Sequence, residues 1–317
     1  MSSWLVTGGA GYIGAHVVKA LRDRGESVVV IDDLTTGSPE RTGDVPLVTG
    51  SILDGDLVRR TLTDHDVAGI VHIAAKKQVG ESVERPLFYY RENLGGLITL
   101  LEAATECNVN SFVFSSSSST YGMPDVDLVT EDVKGEPMSP YGETKLVGEW
   151  ISRAVSAATG MRVIALRYFN VAGCASPDLA DPGIFNLIPL ALRALTSGEA
   201  PKIFGDDYPT PDGTCIRDYV HVADVADAHA AAMLHLNEGG ASGAYNVGRG
   251  VGSSVREVLA TVAAVTGNDM EPVVVDRRPG DPARVIASVE KIRNELGWTA
   301  SYDLEQMVAS AWAAWPK

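Results

Sequence analysis

Tyr141 and Lys145 stand four positions apart, which on a helix puts both side chains on one face, one turn from each other. A phenol, with a reference pKa of about 10, is a poor base at neutral pH. A cation held beside it favours the phenolate and moves the group toward general-base work. Hydroxyls that could complete a proton relay occur in the run of serines at 115–119. The same spacing is common on solvated helix faces, so its weight depends on where the pair falls in the fold.

A second constellation is Gly8-x-x-Gly11-x-x-Gly14, placed between an apolar stretch and a helical one. A helix N-terminus offers N–H groups without partners and a partial positive charge, so a pyrophosphate can rest there if no side chain intervenes. Asp32 follows Gly14 by 18 residues, at the end of the next apolar run, where a carboxylate can accept hydrogen bonds from a ribose diol. Asp33 comes next, and no arginine sits beside the two acids to take a 2′-phosphate, which favours NAD over NADP. A glycine triplet alone is also an ordinary turn; the strand–helix–strand setting is what points to a dinucleotide. A bound, positive nicotinamide would join Lys145 in favouring the Tyr141 phenolate, and Lys145 could also hold the nicotinamide ribose.

These groups need a frame. Residues 4–7 read as a strand, 12–24 as a helix closed by Gly25, and 27–31 as a second strand. Residues 69–74, 111–115 and 163–167 read as further buried strands. Between them lie Leu94, Leu97, Ile98 and Leu101 at helical spacing and a helix over 141–159. This alternation predicts an α/β doubly wound parallel sheet (a Rossmann domain) over residues 1–170, with ligands at the carboxyl ends of the strands. Tyr141 then follows the fifth strand. Past residue 170 the chain is richer in proline and glycine, with an irregular stretch at 206–213. A capping box at Ser254 and Glu257 opens a helix that Gly267 ends. Leu304, Met307, Val308, Ala311 and Trp312 make an apolar stripe. Residues 171–317 therefore read as a smaller, mixed α/β substrate domain closing over the first, with some later segments returning to the first.

The 317 residues are 45% hydrophobic and 21% charged, enough to bury a core across two lobes. A net charge of −15 repels polyanions, which argues against nucleic acid and anionic membranes as partners. Cys107, Cys174 and Cys215 are odd in number and far apart, neither a disulfide framework nor a zinc site. His221, His229 and His235 lack metal-ligand spacing and read as structural; no metal is expected. With no apolar signal core and no span-length apolar run, the chain reads as cytoplasmic.

Thr7-Gly8-Gly9-Ala10-Gly11-Tyr12-Ile13-Gly14, Val79-Gly80-Glu81-Ser82, Tyr141-Gly142-Glu143-Thr144-Lys145 and Arg167-Tyr168-Phe169-Asn170 together resemble an extended short-chain dehydrogenase/reductase. A more specific stretch, Phe204-Gly205-Asp206-Asp207-Tyr208-Pro209-Thr210-Pro211-Asp212-Gly213-Thr214 followed by Arg217-Asp218-Tyr219-Val220-His221, is similar to the UDP-galactose (UDP-glucose) 4-epimerases. The likeness runs over nearly the whole chain.

The resemblance implies NAD as cofactor and a UDP-hexose as substrate, epimerised through a 4-keto sugar. It implies Tyr141 as base, Lys145 as its tuner and ribose anchor, and Ser117 on the reacting hydroxyl. Gly8, Gly11, Tyr12, Ile13, Gly14, Asp32, Asp33, Ser51, Ile52, Ala74, Ala75, Lys77, Asn93 and Phe169 would line the NAD site with Tyr141 and Lys145. Asn170, Asn186, Leu187, Phe204, Arg217, Arg278, Asp281 and Val285 would join Ser117 in holding the UDP-sugar. A guanidinium fork matches phosphate oxygens, which independently favours the two arginines.

Where the family commonly has an acid near the adenine, this chain has Gly50-Ser51-Ile52, so a weaker adenine contact is expected. Val285 falls where some relatives carry a bulky tyrosine, leaving room for N-acetylhexosamines. A 4,6-dehydratase on the same fold would need an Asp-Glu pair where this chain has Ser118-Ser119. A non-catalytic dinucleotide sensor would be free to lose Tyr141 or Lys145. The resemblance further implies a homodimer joined through helices of the first domain.

Overall fold

The Val- and Ile-rich runs become strands, buried on both faces except at the edge strand β3, as parallel strands flanked by helices must be. In the computed structural model, which describes residues 2–268, 270–278 and 280–316, these strands are β1 (Ser3–Thr7), β2 (Val28–Asp32), β3 (Leu47–Thr49), β4 (Val67–His72), β5 (Ser111–Ser117) and β6 (Arg162–Tyr168). They join a later strand, Gly243–Val247, in one seven-stranded sheet ordered β3-β2-β1-β4-β5-β6 and then Gly243–Val247. Every pairing in it is parallel. The chain direction across the sheet reverses between β1 and β4, and the crevice above that switch point is where doubly wound sheets take ligands.

Helices cover both faces. The first helix, Tyr12–Asp23, lies against Val222–Asn237, whose buried Ala226, Ala230 and Met233 let the two come close. On the other face Gly96–Glu106 buries Leu97, Leu100 and Leu101. Ile98, grouped with them by spacing, is instead 43% exposed, because one residue past Leu97 the helix has already turned by about 100°.

β5 runs through Ser117, two residues beyond the expected end at Ser115. Pairing with β6 (Ser115 with Leu166, Ser116 with Arg167, Ser117 with Tyr168) carries it on. Three of the five serines at 115–119 are thus strand rather than loop.

The later residues build a second layer. Strands Asn170–Ala172, Ile216–His221, Gly252–Ser254 and Arg284–Val285 form a small mixed sheet, and Lys202–Phe204 pairs with Val273–Val275. Helices Leu187–Thr196, Val255–Thr266 and Leu304–Ala313 enclose a separate core around Leu192, Val258, Val262, Met307 and Val308. The capping box of Ser254 and Glu257 is present, and Gly267 closes that helix in a left-handed conformation. Among the described residues no helix is long and apolar enough to cross a membrane.

Candidate functional site

The glycine turn follows β1. Gly8 has φ +71°, and a Cβ there would stand 2.8 Å from the Ala74 nitrogen. A Cβ on Gly14 would come within 2.0 Å of the Gly8 carbonyl oxygen. A Cβ on Gly11 would meet the Gly8 oxygen at 3.3 Å and nothing else within 4 Å, so the space in front of the helix is open. The helix beginning at Tyr12 has no side-chain cap and no acid in its first turn. Its N–H groups are left for an anion, and this geometry fits the pyrophosphate of a dinucleotide.

Asp32, at the end of β2, is buried. Its carboxylate accepts from the Ala10 N–H at 2.9 Å and the Leu34 N–H at 2.8 Å, so each oxygen keeps a lone pair for a diol. Burial raises its pKa above the usual carboxylate range. Asp33 lies 3.6 Å from Lys76 Nζ; burial pushes its pKa up, but bonds from Thr35 and the Lys76 charge outweigh this and lower it.

Several expected cofactor residues have more local roles. Lys77 is exposed, its ammonium 5.8 Å from the Tyr12 ring centroid; Lys76 is the lysine beside Asp33. Asn93 uses both amide hydrogens and one oxygen lone pair inside the protein. It donates to the Lys76 carbonyl and the Thr144 hydroxyl, both at 3.0 Å, and accepts from the Lys76 N–H at 2.8 Å, tying that loop to the catalytic helix. The Ser51 hydroxyl accepts from the Leu53 N–H at 3.2 Å, Ile52 is buried beside it, and the Ala74 N–H bonds to the Thr7 carbonyl. Ala75 and Ile13 are partly exposed, while Phe169 is buried.

Tyr141 and Lys145 ride on the helix Pro140–Thr159. Pro140 occupies its first position, and the Ser139 side chain caps it by accepting from the Gly142 N–H. A Cβ on Gly142 would lie 2.7 Å from the Ser119 carbonyl oxygen; glycine is what lets this helix start press against the serine turn. The Ser117 hydroxyl donates to the Ser119 hydroxyl at 3.0 Å, and lies near enough to the Tyr141 phenol to lower a pKa that burial raises. Lys145 is 6% exposed, donates to the Ser115 carbonyl at 2.7 Å, and lies 5.9 Å from the Tyr141 ring centroid. Burial lowers its pKa to about 8, against an upward pull from Glu149. Tyr141, Ser117 and Lys145 are therefore assembled at the carboxyl end of β5. Lys145 also acts on His72 of β4, which bonds Thr7 at 2.7 Å just ahead of the glycine turn.

The other expected residues lie in the second layer. Asn170 and Asn186 are exposed, and Leu187 is partly so. Asn186 precedes the helix Leu187–Thr196 without capping it through its side chain. The Arg278 guanidinium stacks on Phe204, 3.8 Å from the ring centroid. Arg217 pairs loosely with Asp281 at 3.5 Å. Val285 neighbours Arg217 in strand register and is buried with Tyr121, Val129, Phe169 and Ala287.

Four residues that brace the elements around the site lay outside the candidate list drawn from the sequence. Asp218 is fully buried and accepts from the Arg249, Gly250 and Ala287 N–H groups at 2.8, 2.9 and 3.2 Å, clamping two loops beside Val285. It belongs to a quoted motif, so its position was visible although its role was not. Lys76 was one residue from a candidate. Glu149 repeats the four-residue spacing of Tyr141 and Lys145, and its partner Arg167 heads another motif. His221 and His229 are buried and hydrogen-bonded, as structural histidines should be. No group of His, Cys, Asp and Glu among the described residues could hold a metal.

Comparison with known proteins agrees with this geometry. The chain is 47% identical over 314 residues to a UDP-glucose 4-epimerase of Azospirillum brasilense, covering 97% of this chain and 90% of that protein. A crystal structure of UDP-glucose 4-epimerase from Brucella ovis in complex with NAD superposes with a TM-score of 0.94 at 39% identity, over 98% of this chain and 97% of that one. A UDP-glucose-4-epimerase from Stenotrophomonas maltophila with bound NAD and formylated UDP-arabinopyranose gives 0.95 at 37% identity, over 99% and 98%. Residues 4–248 match the NAD dependent epimerase/dehydratase family, and the chain belongs to that family.

Proposed function

We propose that this protein interconverts UDP-hexoses by NAD-dependent 4-epimerisation, with UDP-galactose and UDP-glucose as its primary pair. The observation that carries this reading is the meeting of Tyr141, Ser117 and Lys145 beside the β1–β4 switch point, facing a second layer that holds two arginines. Ser118-Ser119 supply hydroxyls where dehydratase chemistry would need carboxylates.

NAD, held by the glycine turn and Asp32, would supply the two-electron acceptor for the hydride of the sugar C4 and the donor for its return. Tyr141 takes the proton of the 4-hydroxyl and later gives it back. Lys145 holds a positive charge near the phenol, and Ser117 orients the hydroxyl. The Tyr141 pKa, raised by burial, makes the phenol a proton holder until positive charge accumulates beside it. Arg217 and Arg278 grip the diphosphate and Phe204 supports the uracil, with Asn170, Asn186, Leu187 and Asp281 around the nucleotide. The hexose is held loosely enough to turn over as a 4-keto sugar.

The division of labour is residues 1–170 for NAD, with the segment around Gly243–Val247 returning to that sheet, and residues 171–317 for the UDP-sugar. Val285 in place of a larger side chain admits UDP-N-acetylhexosamines. Half-exposed Trp150 and Ile98 on the helices Pro140–Thr159 and Gly96–Glu106 support a homodimer through that face. The free thiols of Cys107, Cys174 and Cys215 fit a reducing, cytoplasmic setting.

The deciding experiment incubates the purified protein with UDP-galactose, without added NAD, and follows UDP-glucose by NMR. Conversion toward equilibrium, lost in Tyr141→Phe, supports the reading; no conversion even with NAD supplied overturns it. UDP-N-acetylgalactosamine in a parallel tube tests Val285.

A further inference from the structure

Asn93, in the wide π-helical turn Tyr90–Gly95, holds both backbone groups of Lys76. Its side chain accepts from the Lys76 N–H at 2.8 Å and donates to the Lys76 carbonyl at 3.0 Å. From that fixed backbone, in the loop after β4, the Lys76 side chain reaches the loop after β2. Its ammonium donates to the Thr35 hydroxyl at 2.9 Å and stands 3.6 Å from Asp33 Oδ2. Asp33 and Thr35 are themselves joined, the Thr35 N–H and hydroxyl both donating to Asp33 Oδ1, at 3.0 and 2.7 Å. Leu34 between them has φ +58°, a left-handed conformation that leucine keeps only where its surroundings impose it, as they do at ligand clamps. Here the Leu34 N–H is held by Asp32 Oδ1 at 2.8 Å.

β2 and β4 lie on either side of β1 in the sheet. Neighbouring strands are about 4.8 Å apart, so the two loops start roughly 10 Å from each other with the end of β1 between them. A contact from Lys76 to Thr35 therefore spans the carboxyl end of β1, where the glycine turn is open in front of its helix. Asp32, the acid suited to a ribose diol, lies at the Thr35 end of the span. The Lys76 and Asp33 side chains are 23% and 37% exposed, and an ion pair as open as this contributes little to stability. The sheet does not need it either, because β2 and β4 are already tied to β1 by backbone pairing. What the contact adds is a crossing over the groove between them.

We propose that Lys76, Thr35 and Asp33 form a strap across the adenosine half of the cofactor site, and that this strap slows the release of NAD. The proposal rests on the glycine turn and Asp32 as the seat of that half. It gives Asp33 a task other than the cofactor contact expected of it, since Oδ1 is taken by Thr35 and Oδ2 faces the ammonium. Release requires the lysine to swing away, so the fraction of time the strap stands open scales the rate.

The test follows NAD leaving the loaded protein, the freed cofactor being captured by alcohol dehydrogenase with ethanol and read as NADH absorbance. The parent is compared with Lys76→Met, Thr35→Val and the double variant; neither position is buried. Each single variant should release NAD about three- to tenfold faster, the weight of one charge-assisted hydrogen bond reduced by exposure. The double variant should be no faster than the quicker single one, because either change already opens the strap. Affinity for ADP-ribose should fall by the same factor. Release at the parent's rate in Lys76→Met, or a double variant whose rate rises by the product of the two single effects, overturns the strap. Asp32→Ala reports on the seat itself. Faster release there beside an unchanged Lys76→Met overturns the strap alone, whereas the parent's rate in Asp32→Ala moves the adenosine half away from β2 and overturns both.

Discussion

The two layers of the molecule differ in how finished they are. On the dinucleotide side the glycine turn admits no side chain at Gly8 or Gly14, Asp32 is held by two backbone N–H groups, and Asn93 locks the neighbouring loop to the catalytic helix. In the second layer Arg217, its side chain 15% exposed, meets Asp281 at the edge of hydrogen-bonding distance, the exposed Arg278 rests on Phe204, and Asn170 and Asn186 face solvent. A preformed wall loses little entropy when it binds; side chains as exposed as Arg278 and the two asparagines must be ordered by whatever they bind. An epimerase whose cofactor stays while substrate and product exchange needs this asymmetry.

The sharpest way to probe the comparison is to remove the chemistry and leave both walls. Tyr141→Phe should lower kcat by roughly a thousandfold or more, within the usual range for loss of a general base, with NAD content and UDP affinity unchanged. A large loss of NAD in that variant would mean that the walls are not independent.

The rigid wall should break under a single methyl group. Gly14→Ala sets a Cβ 2.0 Å from backbone, and the required shift should cost about 3 kcal/mol together with co-purifying NAD. Thermal unfolding and cofactor content read both; a variant as stable and as NAD-loaded as the parent would refute the preformed turn.

Acid should also reach the sheet before the UDP wall. Burial lowers the pKa of His72 to about 3 and of His229, on a helix covering the sheet, to about 4. Both lie below the unfolded value near 6.5, so the unfolded chain takes up protons first. The stability tied to their neutral forms is complete above about pH 6.5 and drains away as pH falls toward 4 and then 3, by up to about 3 kcal/mol for a single site. Thermal midpoints measured from pH 7 to pH 4 should fall steadily. In a His229→Gln variant that folds, the slope should be shallower; an unchanged slope would remove His229 from the account.

The smallest effect belongs to the unfinished wall. Arg217→Met deletes a charge-assisted grip worth about 1.5–3 kcal/mol, so KM for UDP-galactose should rise about 10- to 100-fold. Thermal midpoint and NAD content should barely move. Equal losses of stability and of affinity would show that Arg217 is structural.

What could be seen in the sequence was local. The turn at Gly8, the acid closing β2, the helix carrying Tyr141 and Lys145 and the capping box at Ser254 each depend on residues close in the chain, where spacing alone carries the physics. What could not be seen depends on partners brought from afar. Ser117 belongs to a strand because β6 pairs with it. Asn93 ties Lys76 to Thr144, and Ile98 leaves the apolar face its neighbours share. The pairing of Glu149 with Arg167 required the helix Pro140–Thr159 to return beside β6.

The residue types and their spacing by themselves determined which reactions this chain could support: a phenol and an amine one turn apart, a turn open to pyrophosphate, guanidinium groups for a diphosphate. Tertiary structure alone decided that the phenol meets Ser117 and that the Lys145 pKa falls to about 8. The reason is that desolvation is set by everything packed around a charge, and no stretch of sequence contains its own surroundings.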